Sequence, residues 1–192
     1  MIIVITLPYF FDGEAERIVS LLNERRADLI HIRKLTVNSE DCQQHLQERN
    51  SEVRRMTMEL LTAIPRQWRS RLVLHDDHDL AEEFGLYGVH LNSRNPHAPK
   101  EWKGSVSRSC HSLDEVEEWK KKCNYVSLSP IYDSISKKGY RSAFTRQDIL
   151  QASKVGIIDR KVMALGGVTF SRLEEVKQMG FGGAMILGDA WK

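Results

Sequence analysis

Residues 75–79 read His-Asp-Asp-His-Asp, five groups able to bind a metal or move a proton, directly after the apolar run "RLVL". Three chemistries are open to them: a metal site, an acid–base cluster, or the polar start of a helix. Zinc is disfavoured by the spacing, since there is no H-E-x-x-H repeat and no cysteine close by. Asp77 or Asp79 is placed to cap a helix running through Leu80 and Phe84. Asp76, at the end of the apolar run, is the better ligand, because a hard carboxylate suits Mg²⁺ arriving with a substrate phosphate. His75 falls on the same side as Asp77 if the run is a strand, and His78 takes no assigned role.

Other stretches offer phosphate chemistry. "ALGGVTF" places Gly166 and Gly167 where backbone amides and a helix start can cradle an anion, and a tight turn needing positive φ explains them equally well. Gly188, after a later apolar run, adds to the anion reading. The loop "YDSISKKGY" carries Ser134, Ser136, Lys137 and Lys138, which can clamp a phosphate or simply form a polar surface loop. Arg33, just past "DLIHI", presents a guanidinium fork suited to phosphate oxygens or to a surface ion pair.

These residues need elements to hold them. Short apolar runs at 2–6, 28–32, 71–75, 87–91, 104–108, 125–129, 161–165 and 183–187 predict eight strands, with helix-like segments between them. In "GEAERIVSLLNERR", Ile18, Leu21 and Leu22 recur at helical spacing, and 39–64 reads as one long helix. Ser112 with Glu115 three residues on predicts a capping box, and Gly180 a helix stop. Strands alternating with helices imply parallel pairing through crossovers. The prediction is a single α/β domain over 1–192, a compact (β/α)₈ TIM barrel lacking most or all of its final helix. The last point follows from Lys192, five residues after the eighth run. An open doubly wound sheet with fewer strands is the alternative. In a barrel, chemistry belongs at the C-terminal strand ends, and there the chain is rich in His, Asp, Arg, Lys, Ser and Gly. Together these segments predict a pocket for an anionic ligand.

Composition narrows the partners. The 28 basic and 26 acidic residues nearly balance, and the short basic clusters suit solvated helix faces better than a nucleic-acid surface. Cys42, Cys110 and Cys123 form no C-x-x-C pair, which argues against a disulfide framework and for a reducing, cytoplasmic setting. "MIIVITLPYFF" has no basic n-region and is interrupted by Pro8, so it reads as a first strand rather than a signal peptide. No run approaches the roughly 18 apolar residues of a membrane span.

The order of the motifs resembles the thiamine phosphate synthase family, which includes the related thiazole tautomerases. The resemblance runs over essentially the whole chain, through "DLIHIRKL", "LVLHDDHDLAEEFGLYGVHL", "SRSCHSLDEVEEW", "YVSLSPIYDSISKKGY", "VMALGGVT" and "MGFGGAMILG". It implies a (β/α)₈ barrel acting on small phosphorylated pyrimidine and thiazole substrates. In the synthases, hydroxymethylpyrimidine pyrophosphate loses pyrophosphate, and the nitrogen of a thiazole phosphate attacks the resulting carbocation. Matched by position, Arg33 keeps the arginine of a Q-x-R-x-K motif, with His31 for its glutamine and Leu35 for its second basic residue. Asp76 keeps the Mg²⁺ carboxylate of an Asn-Asp pair, His75 replaces the asparagine, and Asn95 matches a second metal aspartate. Ser134, Ser136 and Lys137 match a T-x-T-K loop, and Ser109 matches a serine near the fifth strand. Gly166 and Gly167 match glycines of the thiazole phosphate site, where Gly188 replaces a serine.

The resemblance therefore implies catalytic roles for Arg33 and Lys137, with Lys138 beside them, and a Mg²⁺ cofactor on Asp76. It implies substrate binding by His31, Arg33, His75, Ser109, Ser134, Ser136, Lys137, Gly166, Gly167 and Gly188. Losing one metal carboxylate and one basic group near the leaving pyrophosphate is expected to raise the barrier by on the order of 2–4 kcal/mol. "HIR" and "RSCHSLDE" look closer to the tautomerase branch, whose acid–base histidine falls at Pro130 here. His31, His75 and His111 are candidate substitutes, although His111 is equally a helix-start residue. A tautomerase-like isomerase and a non-catalytic phosphate-ligand binder stay open as alternatives. A homo-oligomer contact is one way to close the barrel end.

Overall fold

The computed structural model describes residues 1–34, 43–133 and 142–192. Each predicted apolar run becomes a strand, because residues covered on both faces leave no polar side to expose. The order is β1 (Ile2–Ile5), α1 (Glu14–Asn23), β2 (Leu29–Ile32), α2 (Gln43–Ala63), α3 (Arg66–Arg69), β3 (Leu72–Leu74) and α4 (Asp79–Glu83). It continues with β4 (Gly88–Leu91), β5 (Ser105–Cys110), α5 (Leu113–Trp119), β6 (Tyr125–Leu128), α6 (Arg146–Lys154) and β7 (Val162–Ala164). A 3₁₀ turn (Phe170–Arg172) runs into α7 (Leu173–Gln178), followed by β8 (Gly183–Ile186) and a last 3₁₀ turn (Gly188–Trp191). The strands pair in parallel in chain order, and β8 returns to β1, closing the barrel.

Strand alternation sorts the core into two parts. Val4, Ile30, Leu72, Val89 and Val126 face outward and pack with helix residues such as Ile18, Leu61, Val116, Ile149 and Val176. Ile3, Ile5, Leu29, Val73, Tyr125, Met163 and Met185 fill the lumen. The lumen is apolar at every level on β7, β8 and β1. On β2 to β6, Leu29 and Val73 give way, toward the C-terminal strand ends, to the buried His31, His75, His90, Ser107 and Ser127.

Three local expectations are revised. No helix links β4 to β5; Pro96 and Pro99 interrupt this segment, and the Trp102 indole N–H donates to the Ser105 carbonyl at 3.2 Å. Neither Asp77 nor Asp79 caps α4, because Arg54 of α2 binds both carboxylates, at 3.2 Å and 2.6 Å. His78 occupies the cap position instead, with no side-chain bond to the helix. The capping box of α5 is shifted: Ser112 accepts from the Glu115 amide at 3.2 Å, but Glu115 reaches the amide of His111 rather than that of Ser112. Gly180, with φ +91°, ends the segment after α7 as expected.

The turn Gly188–Trp191, after β8, reaches the end of β1. The Trp191 indole N–H donates to the Ile5 carbonyl at 2.8 Å, and its ring meets Phe11 edge-on at 5.8 Å. Among the described residues, no helix is long and apolar enough to cross a membrane.

Candidate active site

The C-terminal strand ends surround a cavity of about 470 Å³. Its wall includes Arg33 after β2, His75 after β3, His90 of β4, Arg94 of the β4–β5 loop, and Arg108 and Ser109 of β5. Among the described lining residues, Glu115 is the carboxylate, and with Arg94 matched by Asp76 at the rim, Arg33 and Arg108 give the cavity an excess of positive charge that suits an anion. Arg108 sharpens this. Its guanidinium stacks 4.0 Å over Trp119, and its Nη1 is buried without a hydrogen-bond partner among the described residues. The stacking fixes the guanidinium at the cavity wall, where its planar fork suits phosphate oxygens.

Beneath the arginines lies a histidine network. His31 Nδ1 is 2.9 Å from His75 Nε2, and His31 Nε2 is 2.6 Å from the Tyr125 hydroxyl. The His75 and His90 rings stack at 4.1 Å. His90 bonds Ser107 through Nδ1 and Ser109 through Nε2, both at 2.9 Å. Desolvation by burial, reinforced by neighbouring histidine charge, drives His31 and His75 well below the ordinary imidazole value. The same burial, with His78, Arg108 and Arg33 nearby, brings His90 down to about 3. All three rings are therefore neutral at physiological pH.

Asp76 sits at the rim. Arg94 Nη2 contacts both of its oxygens at 3.0 Å, and Asn95 Nδ2 donates to Oδ1 at 2.8 Å. Mg²⁺ requires near-octahedral oxygen ligation, commonly from one or two carboxylates and substrate phosphates. Here the single carboxylate is already matched by a guanidinium, and the second candidate position turns an amide N–H toward it. The residues present do not fit a bound Mg²⁺ in this arrangement.

The other predicted residues divide by place. Arg33, His75 and Ser109 meet at the cavity, while His31 lies below its wall, fully buried. Gly166 and Gly167 have φ of +92° and +64° and touch the β6 loop closely. A Cβ on Gly166 would lie 2.8 Å from Pro130 Cα, and one on Gly167 2.4 Å from the Asp133 carbonyl oxygen. The tight turn thus accounts for both glycines, and their neighbour Leu165 lines the cavity. Gly188 opens the last 3₁₀ turn, and a Cβ added there would meet nothing within 4 Å. Ser134, Ser136, Lys137 and Lys138 lie outside the described residues. His111 borders the cavity, its Nδ1 3.2 Å from the Ser129 carbonyl.

Sequence reasoning missed His90, Arg94 and Arg108. For His90 a signal existed: alternation in "GVHL" puts it on the same inward side as Gly88, as alternation in "LIHI" does for His31. Arg94 and Arg108 gain meaning only from what the closed barrel brings beside them.

A family model described as thiamine monophosphate synthase matches residues 3–188. Thiamine-phosphate synthases from two Thermus thermophilus strains are 28% identical over 127 residues, 64% of this chain. In that match the chain spans 60% of those relatives' length. A thiamine phosphate pyrophosphorylase from Bacteroides thetaiotaomicron superposes with a TM-score of 0.79 at 41% identity, covering 99% of this chain and 84% of that one. One from Pyrococcus furiosus shares the fold, with a TM-score of 0.64 at 19% identity over 97% of this chain and 84% of its own.

Proposed function

The chain belongs to the thiamine monophosphate synthase family, and from that premise we propose that it joins hydroxymethylpyrimidine pyrophosphate to a thiazole phosphate, releasing pyrophosphate. The observation that carries this reading is the placing of Arg33 and Arg108 on one strand-end cavity. In the reaction the bond from the pyrimidine methylene carbon to pyrophosphate oxygen breaks, and the oxygen keeps the electron pair. The thiazole nitrogen then forms the new C–N bond to that carbon. The hard step is charge separation, and fixed guanidinium donors stabilise the departing anion without reorganising. Arg33 and Arg108 are assigned to pyrophosphate, and the family resemblance adds Lys137 to them. The Gly166–Gly167 turn and Gly188 are assigned to the thiazole phosphate. No step is assigned to a divalent ion, because Arg94 already pairs with Asp76, the residue matched to the family's metal carboxylate. The cysteine pattern suits a cytoplasmic setting for this enzyme.

A second reading has its own support. His111 borders the cavity with an imidazole of the kind that moves protons, as a thiazole tautomerase would require.

The test mixes the protein with both substrates and follows thiamine phosphate and pyrophosphate. Turnover is expected, with a fall of about 10²–10³ in kcat for Arg33→Ala. Absence of turnover at saturating substrates, with and without Mg²⁺, overturns the synthase reading. Conversion of a thiazole carboxylate phosphate tautomer instead supports the second.

A further inference from the structure

We infer that His31, His75 and His90 form a binding site for a first-row divalent transition ion such as Zn²⁺, with a fourth position open to the strand-end cavity. The site is independent of the proposed reaction. Among the described residues, these three buried side chains are the group whose ligand atoms all lie within 4.8 Å of one another. They come from three successive strands, so no local sequence spacing announces them. Imidazole nitrogen is a preferred ligand of such ions, and three protein ligands plus an open position is the usual plan of a reactive zinc site.

His31 stands edge-on to both partners, at 5.1 Å and 5.2 Å, but the His75 and His90 rings, stacked at 4.1 Å, must swing apart for both to point a nitrogen at one ion. Two nitrogens on one tetrahedral Zn²⁺, each at about 2.0–2.1 Å, lie roughly 3.3–3.4 Å apart. His31 Nδ1 and His75 Nε2 stand at 2.9 Å, so a small opening of that pair admits the ion. Ligation through His31 Nδ1 puts its proton on Nε2, where the Tyr125 hydroxyl, 2.6 Å away, accepts it. That is the outer-shell partner that fixes a ligand tautomer. His90 must release one serine, and each serine keeps a second contact. Ser109 retains Ser127 at 3.1 Å, and Ser107 retains the Val89 carbonyl at 3.4 Å. Protons do not compete for the nitrogens at neutral pH, because burial keeps all three rings unprotonated. His75 and His90 both line the cavity, which supplies the path of entry.

Co²⁺ is the probe, added to the full chain after chelator treatment. The expected result is one tightly held equivalent with the intense visible bands of a four-coordinate nitrogen site, displaced by Zn²⁺. His31→Gln and His75→Gln should lose the bands, and His111→Ala should keep them. Tyr125→Phe should weaken Co²⁺ binding by about 10–100-fold while leaving the spectrum four-coordinate. Circular dichroism establishes whether each variant is folded, and the wild-type titration decides the question if the glutamine variants are not. Only the weak six-coordinate spectrum in the wild type, or four-coordinate bands surviving both glutamine substitutions, overturns the site.

Discussion

Arg94 and Asp76 meet through two contacts of 3.0 Å at the cavity rim, and the value of that pair depends on what else can reach the carboxylate. Such a partly exposed pair contributes on the order of 1 kcal/mol to stability, but its +1 charge lies where a cation would otherwise bind. Millimolar Mg²⁺ is therefore expected to leave the melting temperature of the wild type unchanged and to raise that of Arg94→Ala. Equal shifts in both proteins would show that Arg94 does not compete. The buried imidazoles make a separate prediction, for protein held metal-free with chelator. Burial depresses all three from the ordinary 6.5, so below that pH the unfolded chain takes up protons that the folded chain refuses. Stability is then full above about pH 6.5 and falls as pH drops through it. Between about pH 7.5 and about pH 5.5 stability is expected to fall, by on the order of 1 kcal/mol for each ring that stays neutral in the fold. Urea unfolding at the two pH values measures it, and a flat result contradicts neutral burial. Little of this was legible in the sequence. His31, His75 and Arg33 could be singled out, yet the grouping of His31 and His75 with His90 depends on barrel register.

At the level of elements, the strands were readable to within a residue or two, because a strand buried on both faces is a short apolar run with polar ends. Helix starts were less readable, since their polar residues have long-range competitors. Arg54, 23 residues before Asp77 and 25 before Asp79, takes both aspartates from α4. The start of α1 shows a costlier case. Glu14 and the Lys34 ammonium meet at 2.5 Å, and each side chain is only 3% exposed. Burial pushes the Glu14 carboxyl up and the Lys34 ammonium down, and their mutual contact opposes both shifts. Lys34 also donates to the Leu7 and Tyr9 carbonyls, so it ties the β1–α1 loop to the end of β2. Lys34→Met leaves a carboxylate buried alone and should cost about 3–5 kcal/mol in urea unfolding. The double variant Glu14→Leu/Lys34→Met should recover most of that loss. A double variant no more stable than the single one would mean that packing, not the stranded charge, sets the cost.

For the whole molecule, closure is the property sequence conveyed least. Eight runs suggest a barrel, but nothing local shows how β8 and β1 are sealed. The seal is the last 3₁₀ turn, where Trp191 bonds the Ile5 carbonyl and Arg17 of α1 reaches the Ala190 carbonyl at 3.3 Å. Trp191→Ala removes a half-buried ring and an indole donor, and should lower stability by about 2–3 kcal/mol. Hydrogen exchange should quicken first in β1 and β8, and exchange rising evenly around the barrel would refute that role. The divided lumen has a wider consequence. Barrels of this kind usually separate stability from activity by height, with the floor for folding and the rim for chemistry. Here the separation also runs by longitude. The β7–β8–β1 sector is apolar from floor to rim, whereas the opposite sector carries ionisable groups into the interior. Substitutions should accordingly sort by strand as much as by depth: lumen changes near the seam should unfold the protein, and those across from it should mainly alter what it binds.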